Sequence, residues 1–252
     1  MKTRYWLAPV LLGACILGAW FIFTTAGIIP AYVLPTPQLV FSRLVFGLYQ
    51  GFLTQALLQT IVEALIGCVL AASIGVPVGL AISHWRPLSA SVEPYLAASQ
   101  AIPAVALAPL LVMWVGYGLV PVVILCTIIV VFPIIIGTAV GVRSIDPDVV
   151  GAARLDGAAG LRLVTSIEIP IAAPAILAGL RNGFTLAITG AVVGEMVIGG
   201  IHGLGVELIA AQHSNDVPAM FATIVLLALV AVALYLGIRS IENSAIRAVC
   251  GD

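Results

Sequence analysis

Six runs of about twenty apolar residues divide this chain, at residues 5–25, 55–83, 92–115, 119–142, 171–198 and 218–240. An α-helix rises about 1.5 Å per residue, so about twenty apolar residues cross the roughly 30 Å hydrocarbon core of a bilayer. In hydrocarbon every backbone N–H and C=O must be satisfied within the protein, which for single runs of this length means helix. The expected fold is an all-α membrane protein of six transmembrane helices. Composition points the same way: 62% of residues are hydrophobic and only 8% charged, against about 25% charged in soluble domains. Such a chain cannot cover its own surface with polar groups, so lipid must. The net charge of −1 leaves no electrostatic footprint for nucleic acid.

Met1-Lys2-Thr3-Arg4 before an apolar run has the outline of a signal peptide, and Leu12-Gly13-Ala14-Cys15 imitates a lipoprotein cleavage box. The run continues to about Phe23 and further spans follow, so a retained first transmembrane helix is expected. Basic residues set the orientation. With the N-terminus inside, Lys2, Arg4, Arg86, Arg143, Arg154, Arg162, Arg239 and Arg247 all lie on the cytoplasmic side, leaving Arg43 outside and Arg181 within a span. Both termini are then cytoplasmic, in a cell inner membrane. The chain divides into a first transmembrane helix (1–30), an outer-face loop with an interfacial helix (31–54), and a core of five spans (55–252).

One polar stretch, 143–174, holds three Asp, one Glu and three Arg in a chain otherwise nearly bare of charge. Its pattern predicts a short amphipathic helix over 147–155, a break at Gly157, a second short helix, and a Pro-bounded start to the next span. Asp146 before Pro147 suits a helix start, because its carboxylate accepts orphan N–H groups and Pro fits the first turn. Gly151-Ala152-Ala153-Arg154, then Gly157, then Ile167-Glu168-Ile169-Pro170 resembles the EAA loop of importer-type ABC transporter permeases. That loop reads E-A-A, a glycine, nine free positions and I-x-L-P; here Gly151 replaces the Glu and Ile169 the Leu.

The resemblance implies a MetI-like fold whose cytoplasmic loop, 143–170, carries a coupling helix that docks on a separate ATPase. Gly151, Ala152, Ala153, Arg154, Asp156, Gly157, Ile167 and Pro170 become the candidate coupling residues. The implied partners are two ATPase subunits, a second permease copy (a homodimer), an extracytoplasmic solute-binding protein, and the bilayer. The substitution at Gly151 bears on a polar docking contact there, not on the loop itself.

Leu34-Pro35-Thr36-Pro37 predicts an extended lead-in to a short interfacial helix ending near Phe52, and resembles the nitrate/sulfonate/taurine branch of these permeases. In the second span Ala71, Gly75, Gly79 and Ser83 form a four-residue stripe that lets another helix approach closely. Glu63, near the outer end of that span, is expected to snorkel to the interface. Pro77, Pro103, Pro109, Pro121 and Pro133 interrupt the apolar runs. Pro103 and Pro109 break the third span mid-membrane, where unwound backbone is tolerated only if buried or facing a cavity; part of the solute pathway is placed there. Trp114 and Tyr117 suit an aromatic belt.

In the fifth span Arg181 and Glu195 lie too far apart along the axis to pair, so each needs its own partner or water. Arg181 is expected to snorkel or bond carbonyls of another helix, and Glu195 to line an outer vestibule. Pro103, Pro109, Asn182 and Glu195 are the candidate pathway residues. The run Gly190-Ala191-Val192-Val193-Gly194-Glu195, with Gly203-Leu204-Gly205 after it, is similar to permeases for riboflavin and thiamine-pyrimidine precursors.

Several chemistries are excluded. The only lysine is Lys2, so no P-loop exists and the chain is not itself the ATPase. There is no Gly-x-Ser-x-Gly or HExxH, so no hydrolase is indicated. His202 and His213 lack a third ligand at metal spacing. Cys15, Cys68, Cys126 and Cys250 form no CxxC and read as reduced thiols. No cofactor is expected. The function indicated is the permease subunit of an ATP-driven importer, for riboflavin or a thiamine-pyrimidine precursor, with sulfonate, taurine or nitrate import as the alternative substrate class. The alternative mechanism is an ion-coupled secondary transporter.

Overall fold

The computed structural model of the chain describes residues 4–101 and 103–250. The placement expected for Lys2 falls outside these residues, as do the side chains of Arg4, Arg247 and Cys250. The described chain is helical from end to end: α1 (Arg4–Thr25), α2 (Pro37–Tyr49), α3 (Phe52–His84), α4 (Arg86–Ala101), a 3-10 turn (Ala104–Leu107), α5 (Ala108–Val115), α6 (Leu119–Arg143), α7 (Pro147–Leu155), α8 (Gly160–Leu163), a π-helical turn (Val164–Glu168), α9 (Ile169–Ile198), α10 (Leu204–His213) and α11 (Val217–Cys250). Four stretches are long and apolar enough to cross a bilayer: Phe52–His84, Leu119–Arg143, Gly160–Ile198 and Val217–Ser240. Of the other two expected spans, the first is α1, apolar over Leu11–Thr25, and the third is α4, the 3-10 turn and α5 in series.

α6 forms the middle of the bundle, packed between α3 and α9. Its Leu125, Cys126, Val130 and Ile134 are buried against Ala64 and Ala71 of α3 and Ala187, Ile188 and Ala191 of α9. Glycines make this possible. A Cβ at Gly75 would fall 2.9 Å from Ile134 Cγ2, and one at Gly79 2.7 Å from Thr138 Cβ. On the other flank Gly137 and Gly179 face each other directly. Membrane helices gain little from excluding water between them, so close backbone approach supplies the packing. Three of the four stripe residues lie in this seam. Ser83 does not: its hydroxyl donates to Leu80 O.

The prolines interrupt less than their number suggests. Pro77 and Pro133 sit inside continuous helices, and Pro121 and Pro109 fall in the first turns of α6 and α5, where a missing N–H costs nothing. Of these five, only Pro103 lies at a break, between α4 and the 3-10 turn. Thr36 caps α2, accepting from Leu39 N with Pro37 following. Trp20 Nε1 donates to Pro35 O at 3.0 Å, which ties α1 to the lead-in of α2.

Candidate functional site

The polar loop 143–170 closes one end of the bundle, here termed the loop end. Asp146 Oδ1 accepts from Asp148 N at 2.9 Å and starts α7, as its position before Pro147 predicts. α7 stops where Gly157 turns left-handed (φ +88°) and Ala158 N returns to Ala153 O at 2.9 Å, a conformation that costs an L-residue about 1–2 kcal/mol. Gly151, Ala152, Arg154, Asp156 and Gly157 are exposed, while Ala153, Ile167 and Pro170 are half-buried. A side chain at Gly151 would meet nothing within 4 Å. Leu155 and Leu161 are 90% and 82% exposed, so the loop shows free apolar surface beside its charges.

The return from this loop differs from expectation. No break precedes Pro170; one helical stretch runs from Gly160 to Ile198. Pro170 lacks an N–H, and its ring crowds the carbonyl four residues back in a regular α-helix. The π turn just before it, where Ile169 N donates to Val164 O, widens the helix by one residue and accommodates the proline. It also sets the register. In a π turn residues five apart share a face, so Leu163 and Glu168 both point inward and the buried line continues through Ala172 and Ile176. Glu168 then meets His84 of α3, Oε2 to Nε2 at 2.7 Å. His84 was not singled out in the sequence. The available signal was positional: it closes one span at the face where Glu168 opens another.

The opposite end carries a second polar cluster, and here two expectations are corrected. Glu195 does not face an open vestibule; it is 2% exposed. Its Oε1 accepts from Thr60 Oγ1 at 2.6 Å, and its Oε2 accepts from Gly205 N at 2.6 Å. Thr60 Oγ1 in turn accepts from Leu204 N at 3.0 Å. The first two N–H groups of α10, orphans in any helix, are thus capped by side chains of α3 and α9. Glu63 does not snorkel either: it is 2% exposed and accepts from Gln59 Nε2 at 2.8 Å. Both oxygens of Glu195 find protein partners inside the bundle, whereas Glu63 uses only Oε1 and keeps Oε2 buried without a hydrogen-bond partner.

The other candidates are spread apart. Pro103, Pro109 and Asn182 are exposed on the single chain, so they do not share a surface with the buried Glu195. Arg181 has a partner on another helix: its guanidinium stands 5.3 Å from the ring centroid of Tyr235 on α11, a cation–π distance. Trp114 and Tyr117 are strongly exposed, as an aromatic belt requires. Near α10, Arg43 Nη2 pairs with Asp216 Oδ2 at 2.8 Å beside a small cleft of about 210 Å³. Glu207 lines that cleft, and burial pushes its carboxyl up against the opposing pull of His202. Among the described residues no group of His, Cys, Asp and Glu is placed to hold a metal ion.

A Glu195→Leu variant is expected to lose about 1–3 kcal/mol of stability, because the Gly205 N–H loses its acceptor in a buried site while the Thr60 hydroxyl keeps only Ala56 O. Thermal unfolding of the purified chain in detergent measures this. A melting midpoint equal to that of the unsubstituted chain would count against the capping role.

The family model described as "Binding-protein-dependent transport system inner membrane component" matches residues 71–247. The chain is 39% identical to the riboflavin transport system permease protein RibX of Chloroflexus aurantiacus, over 86% of this chain and 81% of that one. It is 31% identical to the formylaminopyrimidine transport permease protein ThiX of Halalkalibacterium halodurans, over 96% of both. In fold it is similar to a chain of the MetNI methionine ABC transporter in an inward-facing conformation, with a TM-score of 0.70 at 20% identity, over 78% of this chain and 97% of that one.

Proposed function

This chain belongs to the family of binding-protein-dependent transport system inner membrane components, a multi-pass permease and not an enzyme, and from that premise we propose that it forms the solute pathway of an ATP-driven importer whose ATPase is a separate subunit. The observation that carries the reading is the loop itself. α7 is capped, stopped at Gly157 and seated on the bundle through Val150, with Leu155 and Leu161 open to a partner. In this reading the loop end faces the cytoplasm and α10 lies at the outer face. Two copies of the chain line the pathway, two ATPase subunits grip the loops, and a solute-binding protein delivers cargo at the α10 end. Gly151, Ala152, Ala153, Arg154, Asp156 and Gly157 form the docking turn, and Ile167 and Pro170 carry the return arm. The break at Pro103 supplies pathway backbone, alongside Pro109 and Asn182.

For cargo we favour riboflavin or a thiamine-pyrimidine precursor. The similarity to riboflavin and formylaminopyrimidine permeases supports this, as does the Gly-x-x-x-Gly-Glu run at 190–195. Uptake of labelled riboflavin and labelled formylaminopyrimidine by cells expressing the whole system tests it; accumulation of a labelled sulfonate and neither of these would redirect the assignment.

The docking role has its own test. Ala153→Arg is expected to weaken retention of the ATPase about tenfold, the equivalent of about 1.4 kcal/mol, because a half-buried small residue is replaced by a long charged one. Gly157→Val forces a β-branched residue into left-handed backbone and should lower retention similarly. Co-purification from membranes reads both. Unchanged ATPase recovery in each variant would remove the loop from the docking surface.

A further inference from the structure

Both arms of the polar loop end on the last turn of α3. On the outgoing arm, Arg143 closes α6 and donates from Nη2 to Ile82 O at 3.1 Å and to Ser89 Oγ. On the returning arm, Glu168 Oε2 meets His84 Nε2. His84 is well placed for this because its other nitrogen is occupied: Nδ1 donates to Leu80 O at 2.7 Å. A carbonyl oxygen only accepts, so the ring is pinned to its own helix through Nδ1 and Nε2 is aimed across the gap.

That gap is otherwise open. Pro77, Leu80 and Trp85 on one side and Arg154, Leu161 and Val164 on the other line a cleft of about 620 Å³. The Glu168 side chain is 5% exposed and that of His84 33%, so the contact sits at the inner edge of the cleft and crosses it as a strut. The π turn is what aims Glu168 there; in an uninterrupted α-helix residues five apart point about 140° away from each other.

We infer that His84 is a positioning residue that fastens the returning arm of the loop to α3, so that the loop and the adjacent end of α3 move as one body. For transport this deepens the reading given above and rests on it: a pull on the docking turn reaches α3 through Glu168 and His84, and α6 through Arg143. One partner's displacement is then delivered to two spans that flank the bundle's central seam.

The test places spin labels at Trp85→Cys and Leu161→Cys, exposed positions on the two walls of the cleft, in a chain whose four native cysteines are replaced by alanine. In lipid nanodiscs without any partner, the unsubstituted strut is expected to give one narrow distance distribution. H84A and E168L should broaden it by about a factor of two, because the arm opens locally. E168Q, whose amide N–H can donate to a neutral Nε2 in place of the carboxylate that accepts from it, should restore the narrow form. Distributions as narrow in H84A and E168L as with the strut intact would overturn the inference, and so would an E168Q distribution as broad as E168L. Adding the ATPase and ATP then reads transmission: the label separation stays constant with the strut and changes in E168L. A separation that changes equally with the strut intact overturns the one-body motion. If no ATPase is ever retained, the proposed function fails, while the nanodisc distances still decide the strut.

Discussion

Gly205→Ala is expected to unfold the α10 end of the bundle at temperatures where the unsubstituted chain is intact. The added Cβ would fall well inside contact distance of Val192 O, and at 2.9 Å from Glu195 Cβ. Val192 O belongs to the backbone of α9, which packs along α6 and cannot withdraw cheaply. The methyl group also sits 3.0 Å from Glu195 Oε2, the acceptor of Gly205's own N–H. Overpacking alone costs about 1–3 kcal/mol, and a displaced α10 leaves the Glu195 carboxylate and the Thr60 hydroxyl with broken bonds worth about 1–3 kcal/mol more. The sum exceeds either alone, although the two losses share atoms and will not add fully. Melting in detergent, followed by tryptophan fluorescence, is the measurement. Combining Gly205→Ala with Glu195→Leu provides a check: the double variant should lose less than the sum of the singles, and strict additivity would mean that the two residues do not act on one cluster.

The second large effect is expected in the seam between α3 and α6. At Gly79→Val the new Cβ meets Thr138 Cβ at 2.7 Å and Ile135 O at 2.8 Å. One of these is backbone and the other a buried β-branched residue, so neither yields by rotating a side chain. The helices must separate, and the loss spreads to the neighbouring contacts between Gly75 and Ile134. About 3 kcal/mol is expected. Gly18→Val on α1 is the control: nothing lies within 4 Å of its Cβ, and it should change stability by under about 0.5 kcal/mol. Proteolysis rates in detergent compare the two, and equal rates would refute the close-approach account of the seam.

Much of this architecture is legible in the sequence because membrane insertion reads length and apolarity, which single residues hardly disturb. The apolar runs lie on helices, α7 occupies the predicted 147–155 with Asp146 as its cap, and the turn falls at Gly157. What escaped reading has a common cause. Gln59 lies four residues before Glu63 on one helix face and is a local partner, but the partners of Glu195, Thr60 and Gly205, belong to no local pattern. Thr60 is 135 residues from Glu195, and only the fold brings them together. α10 escaped because ten residues behind a glycine-rich turn carry no spanning signal. The continuity through Pro170 escaped because a proline is an ordinary stop signal, and only a turn one residue wider than normal lets the helix pass it.

That wider turn has a consequence of its own. It stores the azimuth of the whole loop in the winding of five residues. Deleting one residue from 164–168 would close the π turn into regular helix and leave that azimuth nearly unchanged. Rewinding all five residues as regular helix would instead swing everything before them by about 100° around the axis of α9. The sequence of α7 would be untouched, yet it would present a different side to whatever lies below. The bearing of the loop is thus set by how five residues are wound, not by a surface.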